Sequence, residues 1–199
     1  MARAALTDEQ LADFRRRTVE TALGMFAEHG YEGVTMRGLA KALKVSPMTP
    51  YRYFEDKDAL FTAMRVEATR RFADLQEQGA SEGRSGVACI LVLARAYLRF
   101  AVEQPEAYRI IFELRPMASQ HSAELHAEHE RAFSFLCCAT GQAVAAGQLP
   151  GDPLTTAHLL WAQAHGLVSL HLAGKLTMGC TFEHLCTTMD RIVCGWMQS

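Results

Sequence analysis

Apolar residues recur at three- and four-residue intervals through nearly the whole chain, and no stretch of useful length alternates with a period of two. Residues three and four apart share a face of a helix, whereas a half-buried strand needs alternation. The pattern therefore restricts the fold to helices packed on helices. Over residues 11–29, Phe14, Val19, Ala22, Leu23 and Phe26 keep mostly to that spacing, and Gly30 stands where a helix-ending glycine belongs. Thr35 is placed to cap a short helix over 36–43. Ser46 is placed to cap a third, with Pro47 at its first helical position, where a missing N–H costs nothing. A longer helix over 56–78 stacks Leu60, Met64, Phe72 and Leu75 toward a core. GASEGRSG, residues 79–86, reads as a linker. Helices follow over about 87–104, 105–114, 119–147, 154–172 and 182–198, with QLPGDP breaking the chain at 148–153 and Asp152 or Thr155 as the next cap. The expectation is an all-α fold of about nine helices.

No apolar run reaches the ~20 residues of a membrane span, since residues 87–98 are interrupted by Arg95. The opening MARAALTDEQ lacks the apolar core of a secretory signal, so a cytoplasmic protein without a membrane partner is expected. Its six cysteines, Cys89, Cys137, Cys138, Cys180, Cys186 and Cys194, are then expected as free thiols. Net charge is −2, and residues 1–57 hold nine Lys/Arg against eight Asp/Glu. Total charge does not mark a nucleic-acid binder, so any such role must come from where the cations sit.

VSPMTPYRYF, residues 45–54, carries two prolines three apart between helical segments. A short helix before it, joined by a tight Leu43-Lys44-Val45 turn, gives the spacing of a helix-turn-helix unit. A recognition helix is short and rigid, presents its first turn to base edges and gains from phosphate-binding groups at its ends. With Ser46 as cap, Pro47, Met48, Thr49 and Arg52 fall on or beside the exposed face, while Val45 and Phe54 pack inward. Tyr51 and Tyr53 offer hydroxyls to phosphate oxygens, and Lys57 offers an ammonium. Arg37 can reach guanine O6/N7 or an adjacent phosphate, and Thr35 can bond a phosphate from a helix N-terminus.

At residues 30–60 the chain resembles the DNA-binding domain of TetR-type bacterial transcriptional regulators. An apolar first helix ends in HGY, Thr35 opens the second, and Leu39-Ala40, Val45-Ser46, YRYF at 51–54 and the Lys57 to Leu60 spacing follow in order. The family commonly has glycine where this chain has Lys44, so a left-handed non-glycine residue costing about 1 kcal/mol is expected there, with one more cation near the phosphates in return. WAQAHG, residues 161–166, resembles the Trp-x-x-x-His-Gly signature of one C-terminal domain type in the family.

The resemblance implies a helix-turn-helix domain over 1–57 and a helical ligand-binding and dimerisation domain over 58–199, linked by the helix at 56–78. It implies a repressor that binds a palindromic double-stranded DNA operator as a homodimer and is released by a small-molecule effector, with no cofactor. Tyr97, Phe112, Phe133 and Trp161, from four helices that must converge, and His165 are the expected ligand contacts. Leu172, Leu185, Met189, Ile192 and Trp196 in the last two helices are the expected dimer seam.

Plainer roles compete at several positions. His165 is first a hydrogen-bonded structural histidine. His121, His126 and His129, with Glu130, read as a solvated helix face rather than a metal site, because the three do not share a narrow stripe. Cys137 and Cys138 point about 100° apart on a helix and read as small buried hydrophobes. Arg95, Arg99 and Arg109 suit surface ion pairs before an anionic ligand. No nucleophile–base pair, phosphate loop or close carboxylate pair stands at a recognisable spacing, which weakens the alternative of a helical enzyme. A helical scaffold would leave the cluster Arg37, Thr49, Tyr51, Arg52 and Lys57 unexplained.

Overall fold

The computed structural model describes residues 7–112 and 122–195. Eight α-helices occur among them: α1 (Asp8–Gly33), α2 (Met36–Ala42), α3 (Lys57–Ala80), α4 (Gly86–Glu103), α5 (Pro105–Phe112), α6 (Ala123–Ala145), α7 (Pro153–Leu172) and α8 (Phe182–Gly195). A single 3-10 turn, Pro50–Arg52, lies between α2 and α3, and no strand occurs among the described residues.

Each helix begins and ends where local chemistry allows. Thr7 and Gln10 form a reciprocal capping box at the head of α1. Gly30, at φ 66° and ψ −167°, breaks that helix, and one further turn completes it. Thr35 Oγ1 accepts the Gly38 N–H at 3.0 Å, and Asp152 Oδ2 accepts the Thr155 N–H at 2.8 Å, heading α2 and α7. The 79–86 linker is shorter than expected, because Gly79 and Ala80 finish α3 and Gly86 opens α4. Gly79 is buried, and a Cβ there would stand 3.2 Å from Val92 Cγ1, so glycine lets α3 and α4 approach closely.

The helices gather into two compact units. The first holds α1, α2, the 3-10 turn, α3 as far as Ala68, and α5. In its core Phe26 meets Phe61 edge-on at 5.9 Å, Tyr31 lies 4.6 Å from Phe61, and buried Arg65 donates Nε to the Ile110 carbonyl at 3.0 Å. The second holds the rest of α3 with α4, α6 from Ala127, α7 and α8. Its core gathers Val87, Ile90, Leu93, Ala139, Ala143, Leu149, Leu160 and Val193, and Phe72 stands against Tyr97 and Phe100. Arg131 pairs with Asp74, Glu77 and Glu128 across α3 and α6. In α3, Leu60, Met64, Ala68, Phe72 and Gln76 recur at four-residue intervals and are all buried. No helix among the described residues is long and apolar enough to cross a membrane.

Candidate functional site

The segment between α2 and α3 differs from the expected helix in a way the prolines explain. Pro50 has no N–H to offer the Ser46 carbonyl, and the Thr49 N–H takes that carbonyl at 2.9 Å with three-residue spacing. The Arg52 N–H then bonds the Thr49 carbonyl, and the Tyr53 and Phe54 N–H groups share the Pro50 carbonyl, so the segment closes as a turn followed by 3-10 structure. Ser46 is therefore not the cap of an α-helix; its hydroxyl lies 3.0 Å from that of Thr49. Pro47, Met48, Tyr51 and Arg52 are exposed, Met48 to 67%, with Thr49 half-buried beside them. Val45 is half-buried, while Pro50 and Phe54 are buried beneath the turn.

Upstream, the Val45 N–H bonds the Ala40 carbonyl and the Lys44 N–H that of Lys41, with Lys44 at φ 56°. This paired ending requires a left-handed residue at its centre. Arg37 is exposed on α2, and so is Thr35 at its N-cap. The side chains of Arg37, Lys44 and Arg52 have no hydrogen-bonding or ionic partner among the described residues.

Two expected phosphate contacts also meet groups of their own chain. Lys57 Nζ donates to the Tyr31 carbonyl at 2.8 Å and stands 3.9 Å from the centre of that residue's ring. An internal carbonyl and a ring face hold this ammonium, so its first role is to tie the start of α3 to the end of α1. Tyr53 is half-buried, its ring 4.5 Å from that of Phe14.

In the second unit a cavity of about 50 Å³ is lined by residues of α3, α4, α6, α7 and α8, mostly aliphatic. Tyr97 and Trp161 line it, and Gln76 and Asp190 are polar members that sequence reasoning missed. Gln76 had a legible signal, being a carboxamide on the buried four-residue ladder of α3. Its Nε2 donates to the Leu93 carbonyl at 3.4 Å. Asp190 accepts two N–H bonds from Arg95 on one oxygen, at 2.8 and 3.1 Å. His165 lies outside the lining, with Nδ1 3.3 Å from the Tyr97 hydroxyl and Nε2 3.5 Å from that of Ser169. Phe133 packs on His158 and Trp161, at 4.7 and 5.8 Å. Phe112 belongs to the first unit, where its ring meets Tyr108 at 4.9 Å.

Of the expected seam, Ile192 is half exposed, Leu172 and Leu185 are half-buried, and Met189 lines the cavity of its own chain. Trp196 and His121 lie outside the described residues. His126 and His129 are exposed, and no three His, Cys, Asp or Glu side chains among the described residues converge as metal ligands. All six cysteines are free, and Cys138, expected inside, is exposed. Burial pushes the Cys89, Cys137 and Cys186 thiols above their ordinary pKa, which disfavours the nucleophilic thiolate.

A helix-turn-helix unit followed in sequence by helices around an interior cavity is the architecture of two-part bacterial regulators. Residues 19–64 match the family described as bacterial regulatory proteins, tetR family, and residues 90–192 match the tetracyclin repressor-like C-terminal domain. The chain belongs to this tetR family. It is 38% identical over 82 residues to the HTH-type transcriptional repressor Rv1474c of Mycobacterium tuberculosis, covering 41% of this chain and 42% of that one. It is 37% identical over 82 residues to the HTH-type transcriptional repressor AcnR of Corynebacterium efficiens, covering 41% and 44%. The match thus spans less than half the length of these curated relatives. Among solved structures, a TetR/AcrR-family transcriptional regulator from Thermobifida fusca superposes with a TM-score of 0.72 at 17% identity, covering 92% of this chain and 97% of that one. AibR in complex with isovaleryl coenzyme A and operator DNA superposes with a TM-score of 0.69 at 20% identity, covering 89% and 96%. At these identities the likeness is one of fold.

Proposed function

We propose that the protein is a transcriptional repressor that binds a palindromic double-stranded operator as a homodimer and is released when a small molecule enters its C-terminal helices. The observation that carries this is the set of cations without partners, Arg37, Lys44 and Arg52, around the exposed Pro47-Met48 turn. Arg17 and Lys41 are likewise exposed without such partners among the described residues, whereas Arg15, Arg16, Lys57 and Arg65 bond to their own chain. Arg37 and Thr49 are assigned to base edges, Thr35, Ser46, Tyr51 and Lys44 to the backbone, and Met48 and Pro47 to apolar contact in the major groove.

Residues 1–57 are assigned to DNA and 58–199 to ligand and dimer, and α3 contributes residues to both units. An effector wedged against Tyr97, Trp161 and Gln76 would favour a conformation in which two reading segments no longer match successive major grooves, about 34 Å apart. The neighbour AibR, solved with both an acyl-coenzyme A and operator DNA, supports a fold that accommodates both kinds of ligand. A regulator of this kind acts by binding rather than catalysis and works where the chromosome is, in the cytoplasm.

The test is a mobility-shift titration on the DNA upstream of the protein's own gene, with a scrambled duplex as control. Arg37→Ala and Thr49→Ala should each reduce the preference for the specific duplex by about 5- to 150-fold, the weight of a base contact of ~1–3 kcal/mol. Absence of any sequence preference in the wild type removes the proposal; unchanged preference in both variants removes the assignment of roles.

A further inference from the structure

Beyond the cations without partners, an exposed arginine of α1 turns back onto the reading segment of its own chain. Arg15, on the second turn of α1, donates NH1 to the Tyr53 carbonyl at 3.2 Å. Its guanidinium carbon stands 4.8 Å from the centre of the Phe54 ring, which is 2% exposed. The preceding residue, Phe14, packs its ring on Tyr53 at 4.5 Å. Two consecutive residues of α1 thus grip two consecutive residues at the far end of the 45–54 segment, across 38 positions of sequence.

The carbonyl chosen is informative. At the end of a short helix the last carbonyls have no intrahelical partner. In this segment the Tyr53 and Phe54 N–H groups both turn back to Pro50, and the Tyr53 carbonyl is left pointing outward for Arg15 to take. A guanidinium is planar, so it presents an edge N–H to the Tyr53 carbonyl while its face covers the Phe54 ring; a lysine side chain is shorter and ends in a single nitrogen, so it does not reproduce this pose. The adjacent Arg16 is held instead by Asp13 and Glu20 on its own helix.

We propose that Arg15 is a positioning residue for the DNA-reading segment, acting through Tyr53 and Phe54 and not by touching DNA. This rests on the assignment of residues 45–54 to DNA above. Arg15 fixes the end of the segment against α1, so that the exposed turn at Pro47 and Met48 meets the groove in one orientation. Although exposed, its guanidinium is turned to Tyr53 and Phe54 and adds nothing to the count of phosphate contacts.

The test uses full-length protein and the tightest duplex that the wild type selects from a random library, with a scrambled duplex beside it. Arg15→Ala and Arg15→Lys are compared by affinity, by the slope of log affinity against log salt, and by amide exchange at Tyr53 and Phe54. Both variants should lose roughly tenfold or more of specific affinity, about the weight of one base contact. Both should keep the wild-type salt slope and scrambled-duplex affinity, with faster exchange at the two amides. If Arg15→Lys binds like wild type while Arg15→Ala lowers the slope by about 1, Arg15 is a phosphate contact and the proposal is overturned. Wild-type affinity in both variants overturns it as well. Should Arg15→Ala fail to fold, Arg15→Lys decides alone, since it keeps the charge and the stem. A wild type that selects no duplex fails at the earlier step, separately from any variant, and takes this proposal with it.

Discussion

Lys44 occupies a backbone position that the same chain gives to glycine elsewhere. α2, α6 and α7 all end with the same pair of reversed hydrogen bonds, and the residue at the centre is Lys44 at φ 56°, Gly147 at φ 68° and Gly174 at φ 65°. A side chain in that conformation costs roughly 1–2 kcal/mol. Glycine would return roughly 0.5–1 kcal/mol of this through its greater freedom in the unfolded chain. Lys44→Gly should therefore stabilise by about 0.5–1 kcal/mol, a rise of about 1–4 °C in melting temperature by calorimetry. The same variant should bind every duplex more weakly and lower the salt slope by up to about 1 if the ammonium meets a phosphate. A melting temperature that falls would show that the side chain makes contacts outweighing the strain. This position was legible through the resemblance to the family, which commonly has glycine where this chain has Lys44. Lys57 was not: its partner Tyr31 lies 26 residues away, and no local spacing reports a carbonyl brought there by the fold.

At the scale of elements, the reading segment shows how one missing donor changes helix type. An α-helix turns about 100° per residue and a 3-10 helix about 120°. Replacing Pro50 by alanine supplies an N–H to the Ser46 carbonyl and lets the segment relax toward the α form, swinging later side chains by about 20° per residue. Urea denaturation should find stability within about 1 kcal/mol of wild type, while specific DNA affinity falls. Retained affinity would show that the pitch is immaterial. The sequence disclosed the short, proline-stiffened element but not its pitch, since that depended on which N–H captured the Ser46 carbonyl.

The head of α7 makes a separate prediction. The Thr155 backbone N–H, and then its side chain, hold the Asp152 carboxyl below the ordinary carboxylate pKa. A carboxyl whose folded pKa is depressed stabilises fully above its unfolded pKa, about 3.9, and loses that contribution as pH falls through the folded value. The melting temperatures of wild type and Asp152→Asn should thus keep a constant difference at neutral pH. That difference should move against wild type only below about pH 4. A difference that changes around neutral pH would contradict this account of the cap.

For the whole molecule, apolar residues remain uncovered on one chain. Leu159 on α7 is 59% exposed, Leu170 is 44% exposed, and Ile192 on α8 is 50% exposed. Ile192→Asp should leave the protomer fold intact, because the site is already wet, yet in a paired seam it would bury an unpaired charge. Sedimentation should show a smaller species, with operator binding lost in parallel. A variant that sediments like wild type would move the seam elsewhere. Helical periodicity exposed which helices were too apolar to stand in water, but it could not divide their faces between the chain's own core and a second copy. Met189 illustrates the limit, being as apolar as Ile192 and yet turned to the cavity.

That cavity, at about 50 Å³, has room for only a few waters. Drug-sized ligands occupy roughly 300–1,000 Å³. A drug-sized effector entering here needs the helices that line the cavity to part. Its arrival is then clocked by the protein's own breathing, so the observed binding rate should level off as effector concentration rises, and apparent affinity is diluted by the fraction of time the chamber stands open.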